Sequence, residues 1–546
     1  MYQYTAFDSE FVKARAAQYR DQLTRNLAGK LADDDFRPLR LQNGWYVQRY
    51  APMLRVAVPY GELNSAQLRV LATIARDYDR PAPELLAEAQ AKQHENGTTP
   101  GPRLSAGYGH FTTRQNVQFN WIPLEKSADV MDLLATVNLH GIQTSGNCIR
   151  NTTSDERAGI AVDEDVDPRP YAELIRQWST LHPEFAFLPR KFKIAIAIPP
   201  YNDSDIFSQD LGFIAIVEKN RIIGYNVIVG GGMGTTFGMP ETYPRLAEVI
   251  GFCTPEQIVD VAEKVLLVQR DNGNRQNRKL SRLKYTIDRL GIDAFKAELH
   301  KYLGYELQEP KPFAFTRNGD RLGWKKGADS KWSLSLFVEG GRVADKNGFN
   351  LKSALRETAQ NINGQFILTG NQNLVIANVS ADEKKKISEI LKKNGVLPGE
   401  ISGLRQNSIA CVALNTCGLA FAEAERYLPS LISKIESILD QHGLFKEEIV
   451  IRMTGCPNGC GRPYLAEIGF VGKSEGHYNL YLGGNFNGTR LNTLYKETLT
   501  EDEILAELSP IVADYAQSRS DGEKFGDFVI RKQYVKEILK GSDFRH

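Results

Sequence analysis

A short polar motif occurs twice in the sequence, each time at the same place in a longer pattern. The segments FTTRQNVQFNWI (111–122) and LTGNQNLVIANV (368–379) share a T-x-x-Q-N core followed by alternating apolar residues. Each lies within a strand–helix–strand–helix order that the hydrophobic periodicity predicts. Two such units can look alike by chance, but we interpret the shared order as an internal duplication.

A second pair of segments repeats further along each half. Residues 191–234 read as a set of strands that ends at a glycine-rich turn, and residues 447–488 have the same order. Two halves of similar design are expected to meet about a pseudo-twofold axis. Such an interface suits a large cofactor.

The composition is that of an ordinary globular chain and narrows the function classes. A length of 546 residues predicts two to four domains, and the hydrophobic fraction of 42% is typical of globular proteins. Lys and Arg total 67 against 66 Asp and Glu, so a net charge of +1 gives no case for a nucleic-acid or membrane partner. The N-terminal segment does not resemble a signal peptide, and no apolar run is long enough for a membrane helix. We therefore expect a cytoplasmic protein.

Four of the six cysteines form two local pairs. Cys411 and Cys417 lie in CVALNTC, and Cys456 and Cys460 lie in GCPNGC. Six cysteines in so long a chain do not make a disulfide framework, so clustered thiols indicate metal binding or chemistry. Zinc is the main alternative to an iron–sulfur cluster, but zinc pairs usually have about two to four residues between ligands. The wider C-x5-C pair favours a cluster.

Glycines explain why two cysteines share one tight turn. Gly455, Gly459 and Gly461 let the backbone turn closely around a bulky inorganic group and leave amide N–H groups free to point at sulfur. The other two cysteines, Cys148 and Cys253, have no partner at ligand spacing. Each reads as a small buried residue, although Cys148 lies in SGNCIRN among other polar residues of interest.

Several cations occur at strand ends or in apolar surroundings, where an unpaired charge is costly. They are Arg55, Arg114, Arg150, Lys191 and Lys193. The two lysines alternate with Phe192 and would point to one face of a strand. Taken singly, each cation is better explained by a solvated face or an ion pair, but taken together they predict an anion site.

Two further segments are weaker signals. The turn GGGMG, Gly230 to Gly234, follows a strand and would cradle a phosphate or carboxylate, but it lacks the dinucleotide fingerprint. The segment Arg270 to Thr286 is densely basic and reads either as a solvated helix or as a lid that supplies cations to a polyanionic cofactor. The polar, Gly- and Pro-rich segment 91–107 is expected to be a loop.

These motifs together resemble the signatures of the sulfite and nitrite reductase family. The four-cysteine pattern CVALNTC…TGCPNGCGR resembles the family's sirohaem and [4Fe–4S] signature. PMLRVAVP, TTRQNVQF, SGNCIRN, LPRKFKIAI, NVIVGGGMG and NQNLVIANV resemble its other blocks in the same order. The match covers roughly residues 50–540 and looks closest to the haemoprotein subunits of assimilatory sulfite reductases.

The resemblance implies a role for each matching residue. Cys411, Cys417, Cys456 and Cys460 would ligate a [4Fe–4S] cluster, and Cys460 would also be the axial thiolate of the sirohaem iron. The implied substrate-binding, catalytic cations are Arg55, Arg150, Lys191 and Lys193. The implied cofactor-binding residues, besides Cys460, are His110, Arg114, Gln115, Asn116, Gly231, Gly232 and Asn458.

The resemblance also implies a fold, a pseudo-twofold duplicated α+β arrangement of three lobes. A composite ferredoxin-like lobe would come from two separated segments, and two further lobes would form the cofactor interface. The expected division is an N-terminal arm at 1–50, the composite lobe at 51–142 plus 330–396, a first sirohaem and substrate lobe at 143–329, and a second lobe with the cysteines at 397–546.

The implied activity is the six-electron reduction of sulfite to sulfide. Nitrite reduction, alone or alongside sulfite reduction, is the alternative within the family. An electron carrier or a zinc-stabilised binding module would be alternatives outside it. The chain has no flavin or nicotinamide segment, so an NADPH-dependent flavoprotein or a ferredoxin would supply the electrons. His110 stands where the family often has an arginine, which puts one cofactor contact in question.

Overall fold

The computed structural model describes residues 2–545, apart from 51, 82, 85–86, 88–106, 157–159, 161–165, 328–329, 347 and 397–398. Of the predicted loop at 91–107, all but Gly107 lies outside the described residues. The described residues form both helices and sheets, as expected for an α+β protein. None of the helices described is long and apolar enough to cross a lipid bilayer.

Helices and strands are distributed along the whole described chain. The strands are β1 (Trp45–Val47), β2 (Pro52–Val56), β3 (Glu62–Asn64), β4 (Gly109–Phe111), β5 (Val117–Phe119), β6 (Ile194–Ala197), β7 (Leu211–Glu218), β8 (Arg221–Val229), β9 (Glu248–Cys253), β10 (Gly323–Lys326), β11 (Trp332–Leu336), β12 (Arg342–Val343), β13 (Asp345–Lys346), β14 (Phe349–Asn350), β15 (Gln365–Leu368), β16 (Leu374–Val379), β17 (Ser408–Ala410), β18 (Ile451–Thr454), β19 (Ile468–Ser474), β20 (His477–Leu482) and β21 (Thr493–Leu499). The helices are α1 (Ala6–Leu27), α2 (Asp33–Gln42), α3 (Ser65–Asp77), α4 (Ser127–Ala135), α5 (Arg169–Ser179), α6 (Ile258–Asn272), α7 (Leu283–Leu290), α8 (Ile292–Leu303), α9 (Leu351–Asn361), α10 (Ala381–Lys393), α11 (Gly403–Gln406), α12 (Leu428–Gln441), α13 (Glu501–Ser518) and α14 (Phe525–Arg531).

Two five-stranded sheets have the same design and exchange one strand. Their strand orders are β1-β2-β5-β4-β12 and β10-β11-β16-β15-β3. Strand β3 of the first half pairs with β15 of the second, and β12 of the second half pairs with β4 of the first. The duplication inferred from the sequence is therefore present in the fold, and the two halves interlock rather than only touch.

The repeated T-x-x-Q-N motif forms the turn of a hairpin in each half. We expected one strand through each motif, but a turn separates β4 from β5 and β15 from β16 because Gln115 and Gln372 adopt positive φ angles of 53° and 70°. Each glutamine then reaches across to the other half. The Nε2 of Gln115 donates to the carbonyl of Leu368 at 3.0 Å, and the Nε2 of Gln372 donates to the carbonyl of Phe111 at 3.1 Å.

Two further sheets also share a pattern. In the sheet β6-β7-β8-β9 the first pair is parallel and the others are antiparallel. In the sheet β17-β18-β19-β20-β21 the pairs β17–β18 and β18–β19 are parallel and the rest are antiparallel. Residues 149–153 pair in parallel beside β6, through bridges Ile149–Phe192 and Thr153–Ala195, and so occupy the place that β17 holds in the other sheet.

Each part of this architecture has its own buried core. One core joins the two interlocking sheets with α1, α3, α4, α9 and α10, and separate cores lie in the β6–β9 and β17–β21 regions. Strand β1 comes from the predicted N-terminal arm, and β10 comes from the end of the predicted 143–329 lobe, yet both belong to the interlocking sheets. The lobe boundaries otherwise stay a prediction.

Candidate functional site

One cavity brings the two predicted sets of residues together. Its walls come from the interlocking sheets, from the β6 region and from the β17–β18 loops. They include every predicted cysteine ligand and every predicted substrate cation, namely Arg55, Arg150, Lys191, Lys193, Cys411, Cys417, Cys456 and Cys460. A concave site with convergent polar groups is the usual form of a ligand-binding site.

Strand alternation places three of the cations on one wall. Ile149 and Phe192 are both 1% exposed and form a parallel bridge, so their neighbours turn the other way. The amide of Arg150 donates to the Phe192 carbonyl at 2.7 Å, which fixes this register. Arg150, Lys191 and Lys193 therefore line the cavity together because the residues between them are anchored in the core.

Arg55 and Arg150 are held by one shared carbonyl. The Nη1 atoms of Arg55 and Arg150 donate to the carbonyl of Thr144, at 3.0 and 2.7 Å. The Nη2 of Arg55 also donates to Oε1 of Gln118 at 3.0 Å, and the Nη2 of Arg150 donates to the Gly146 carbonyl at 2.7 Å. These bonds orient both guanidinium groups without neutralising them.

The two lysines carry charge that no described residue offsets directly. Within the described part of the chain, neither side-chain nitrogen has a hydrogen-bond or ion-pair partner, although both lysines line the cavity. Burial lowers the pKa of Lys191 to about 7, and burial together with the neighbouring Lys191 lowers the pKa of Lys193 well below its usual value. Such a site favours an anion because the negative charge of the anion would pair with the buried lysines.

Tyr46 supports this wall and was not identified from the sequence. Its hydroxyl lies near the side chains of Arg150 and Ser145, and its ring centre lies 5.7 Å from the Arg55 guanidinium carbon. The two guanidinium groups lower the pKa of Tyr46 despite its burial. Tyr46 is the middle residue of the short edge strand β1, and no local sequence signal marks it.

The cysteine wall is built from the carboxyl ends of two parallel strands. Cys411 follows β17 directly and Cys456 follows β18 after one glycine, so the strand pairing brings them to the same edge. The amide of Gly455 donates to the Cys411 sulfur at 3.4 Å. A Cβ at Gly455 would lie 2.4 Å from the carbonyl oxygen of Ala422, so this turn requires glycine.

The second loop also joins the cysteine region to the rest of the molecule. The amide of Thr235 donates to the Pro457 carbonyl at 2.8 Å, and the hydroxyl of Thr113 donates to the Cys460 carbonyl at 3.0 Å. Gly459 has a φ of +64° and packs on Met233. The GCPNGC turn therefore lies where the three regions of the fold meet.

No three of the four cysteine sulfur atoms lie within 4.8 Å of one another. Zn–S bonds of about 2.3 Å would bring them to within about 4 Å of one another. Among the described residues, the one group of three or more metal-binding side chains with ligand atoms within 4.8 Å is Asp155, Glu156 and Asp203. The cysteines do not form such a group, which favours a larger cluster over zinc.

The protonation of the thiols is consistent with a metal-binding role. Burial and the neighbouring cysteines raise the pKa of Cys456 to about 12 and raise that of Cys411 well above its usual value. All six cysteines are free of disulfides. The buried thiols would stay protonated by themselves, and cationic metal is what makes such a set thiolate. The donor set therefore fits the implied cluster.

A second cavity continues from the first and is strongly basic. Lys191, Lys193 and Asn458 border both cavities. The other basic residues of the second cavity are Arg190, Arg278, Lys279, Arg282 and Arg462. Arg278, Lys279 and Arg282 belong to the basic segment 270–286, so this segment lines a cavity rather than a solvated helix face.

Three predicted cofactor-binding residues do not line either cavity. Gln115 is fully buried and its amide is used by the carbonyls of Ser154 and Leu368. A Cβ at Gly231 would lie 2.2 Å from the Phe207 carbonyl oxygen, and the carbonyl of Gly232 accepts from Lys284 at 3.1 Å. These residues shape the walls from behind, whereas Met233 to Thr236 reach the second cavity.

The remaining predicted residues, His110, Arg114 and Asn116, line the first cavity but are largely occupied. His110 Nδ1 lies 2.7 Å from Oε2 of Glu425, and its Nε2 lies 3.2 Å from Nε2 of Gln372. The terminal nitrogens of Arg114 donate four hydrogen bonds within the protein, and burial lowers its pKa to about 9. The polar groups of His110 and Arg114 therefore already have partners within the protein.

Family comparisons agree with this geometry. Residues 145–307 match the family model described as "Nitrite and sulphite reductase 4Fe-4S domain". Residues 103–137 and 325–394 match the one described as "Nitrite/Sulfite reductase ferredoxin-like half domain". The two separated stretches of the second match include β4, β5 and β12 of one interlocking sheet and β11, β15 and β16 of the other.

Curated relatives are similar over nearly the whole chain. The protein from Bacillus licheniformis named "Sulfite reductase [NADPH] hemoprotein beta-component" is 44% identical over 96% of this chain and 94% of its own. The Geobacillus kaustophilus protein of the same name is 43% identical over 98% and 97%. The Anoxybacillus flavithermus protein of that name is 58% identical over 66% of this chain, and this alignment spans 63% of the relative, less than two thirds of its length.

A solved structure has the same overall architecture. The structure titled "Structure of Mycobacterium tuberculosis NirA protein" superposes with a TM-score of 0.79 and is 25% identical, and the alignment covers 96% of both chains. This likeness extends over the interlocking sheets and both further sheets.

Proposed function

Because the chain belongs to the nitrite and sulfite reductase family of sirohaem and [4Fe–4S] oxidoreductases, we propose that it is the haemoprotein component of an assimilatory sulfite reductase. In this reaction sulfite takes up six electrons, its sulfur leaves as sulfide and its oxygens leave as water. The observation that carries the proposal is the single cavity lined by four cysteines and four cations.

The residues that would hold the cofactors are divided between the two walls. Cys411, Cys417, Cys456 and Cys460 would ligate the cluster, and Cys460 would also help to hold the sirohaem. The basic residues of the second cavity would bind the sirohaem carboxylates, for which arginine is suited. When bound, the cofactors would supply the electrons for the reduction.

The cations of this chain would bind and protonate the substrate. Arg55 and Arg150 are held by the Thr144 carbonyl and would hydrogen-bond to sulfite oxygens. Lys191 has a pKa of about 7, so near neutral pH it can both hold a proton and release it. A proton delivered to a substrate oxygen would let that oxygen leave as water.

The substrate and partner are the finer parts of the proposal. The same four cations would bind nitrite, so dual reduction of nitrite and sulfite is the second candidate. We favour sulfite because the relatives are named for it, and we favour an NADPH-dependent flavoprotein over ferredoxin because their names include NADPH. We also propose a cytoplasmic location, since free clustered thiols require a reducing compartment.

An absorption spectrum and a dye-linked assay test this proposal. The purified protein should show a Soret band and broad visible sirohaem bands. With reduced methyl viologen as electron donor it should form sulfide from sulfite, with kcat/KM at least about tenfold higher for sulfite than for nitrite. A colourless protein would contradict the reductase assignment, and a reversed substrate preference would replace sulfite by nitrite.

A further inference from the structure

An exposed apolar surface lies beside one cluster ligand. Three of the nine large hydrophobic side chains exposed in the described residues are Val47, Leu419 and Phe421, which are 59%, 66% and 48% exposed. Leu419 is two residues from Cys417. The ring of Phe421 lies 6.1 Å from that of Phe237.

Val47 belongs to this surface because its strand end packs on the Cys417 loop. The amide of Arg49 donates to the Thr416 carbonyl at 3.3 Å, and the amide of Gly418 donates to Oε1 of Gln48 at 3.0 Å. We define the Cys417 face as Val47, Arg49, Phe237, Leu419, Phe421 and Lys473.

The two charged members of the Cys417 face are both cations. Arg49 is exposed, and the Lys473 nitrogen lies 4.2 Å from the centre of the Phe237 ring. Neither side chain forms an ion pair within the described part of the chain. A near-neutral protein, with a net charge of +1, thus presents an apolar centre with positive charges beside it. A partner with acidic side chains is complementary to such a surface.

We propose that the Cys417 face docks the electron-donor protein, an acidic domain that carries a reduced flavin near its surface. This inference rests on the proposed function, which requires electrons from another protein. At each encounter the reduced flavin loses one electron and the oxidised cluster gains it, and no atoms are exchanged. A small apolar contact with charged edges is typical of brief redox encounters, because steering speeds association without long residence.

Two substitutions separate docking from chemistry. In Phe421→Ser the apolar centre is lost, and in Lys473→Glu the steering charge is reversed, while neither side chain lines the cavities. The probe is reduced flavodoxin, a small acidic flavoprotein. We expect each variant to raise the flavodoxin Kd, measured by titration of the oxidised pair, about tenfold, and to lower flavodoxin-driven sulfide formation equally. Reduced methyl viologen should drive both variants within about twofold of wild type.

Matched controls lie on other surfaces. Phe349→Ser removes a phenylalanine that is 44% exposed in the β13–β14 ribbon, and Lys385→Glu reverses an exposed lysine on α10. Both should keep the wild-type flavodoxin Kd. Leu419 is left unchanged because it also borders the first cavity.

The outcomes distinguish the inference from the proposed function. Unchanged flavodoxin binding in both Phe421→Ser and Lys473→Glu overturns the docking site, as does equal loss in the controls. Equal loss with methyl viologen also overturns it, because the residues would then support the active site itself. No flavodoxin-driven turnover in wild type overturns the donor chemistry. If wild type fails even with methyl viologen, the proposed function fails.

Discussion

The β6–β9 sheet and the β17–β21 sheet share a strand pattern but supply different chemistry. In the first, Lys191 and Lys193 precede β6, and Arg150 lies on the segment beside it. In the second, Cys411 and Cys456 follow β17 and β18. One copy of the pattern thus presents cations and the other presents thiols to the same cavity. The scaffold fixes where side chains can appear, and a few residues at strand ends decide what they do.

The two T-x-x-Q-N turns show the same division on a smaller scale. Thr, Gln and Asn are retained because they build the turn: Asn116 accepts from the Val58 amide at 3.0 Å, and Asn373 accepts from the Val338 amide at 2.8 Å. The two middle positions differ. At the second of them, Arg114 reaches the cavity wall, whereas Asn371 donates to Asp320 at 2.9 Å. The copies therefore differ at the two positions that the shared motif leaves open.

The largest expected effect is that of a substitution in the cysteine wall of the first cavity. Cys456→Ser should abolish the cluster and lower sulfide formation more than about 100-fold, because even loss of a residue behind a metal ligand costs 10–100-fold. Iron and acid-labile sulfide content, together with the visible spectrum, measure the result.

Cys253→Ala in the β6–β9 sheet is the matched control, since Cys253 is a buried cysteine far from the other five in sequence. It should keep the full iron content. Wild-type cluster content in Cys456→Ser would contradict the division of labour between the two sheets.

The cation wall of the first cavity consists of Arg55, Arg150, Lys191 and Lys193. A substitution there should reduce the turnover of substrate but leave the cofactors bound. Lys191→Ala should lower kcat/KM for sulfite about 10²–10³-fold, the usual cost of removing one group that stabilises developing charge. The sirohaem bands and iron content should stay near wild type. Lys385→Ala on α10 controls for loss of a lysine, and a Lys191→Ala protein with full turnover would remove this residue from the site.

Substrate binding at Lys191 should also depend on pH. Burial lowers the pKa of Lys191 to about 7, so this lysine is charged below that pH and neutral above it. Anion binding should therefore weaken as pH rises through about 7, by up to about tenfold per unit in kcat/KM. Nitrite is the better probe here because it does not titrate in this range, unlike sulfite. A flat profile to pH 9 would show that Lys191 stays charged.

Much of this site was predictable because its signals are local. The cysteine spacing, the alternation of Lys191 and Lys193 with Phe192, and the repeated motif are all patterns of adjacent residues. They predicted the duplication, and the structure brings the predicted cysteines and substrate cations into one cavity. The family resemblance added the identity of the cofactors.

The features that the sequence did not predict depend on contacts between distant segments. The strand exchange of β3 and β12 cannot be read from periodicity, because a short strand pairs equally well within its own half. Tyr46 meets Arg150 across about a hundred residues, and Gln115 turned out to lie between the halves rather than in the cavity. A polar residue in a motif can serve the fold or the ligand, and sequence alone does not separate the two.

The equivalent glutamines offer a test of the duplication itself. Gln115→Ala should lower the free energy of unfolding by about 1–3 kcal/mol, because it leaves buried carbonyl groups without donors. Gln372→Ala should cost a similar amount, since it makes the same contact in the opposite direction. Urea denaturation of both variants measures the two costs. A large effect of one and none of the other would show that the halves are held unequally.

The smallest effect should come from a substitution of Tyr46, which lies beside Arg55 and Arg150 but outside the cavity. Tyr46→Phe removes the hydroxyl near Arg150 and Ser145 but keeps the ring beside Arg55, a loss of about 1 kcal/mol or about fivefold. Because Tyr46 does not line the cavity, the change should raise KM for sulfite and leave kcat within about twofold. Tyr302→Phe is the control, because Tyr302 on α8 is half-buried and its hydroxyl donates to Asp271 at 2.6 Å, in a contact that involves none of the cavity residues. If kcat fell while KM stayed constant, Tyr46 would take part in proton delivery. That result would contradict the positioning role that we assign to this residue.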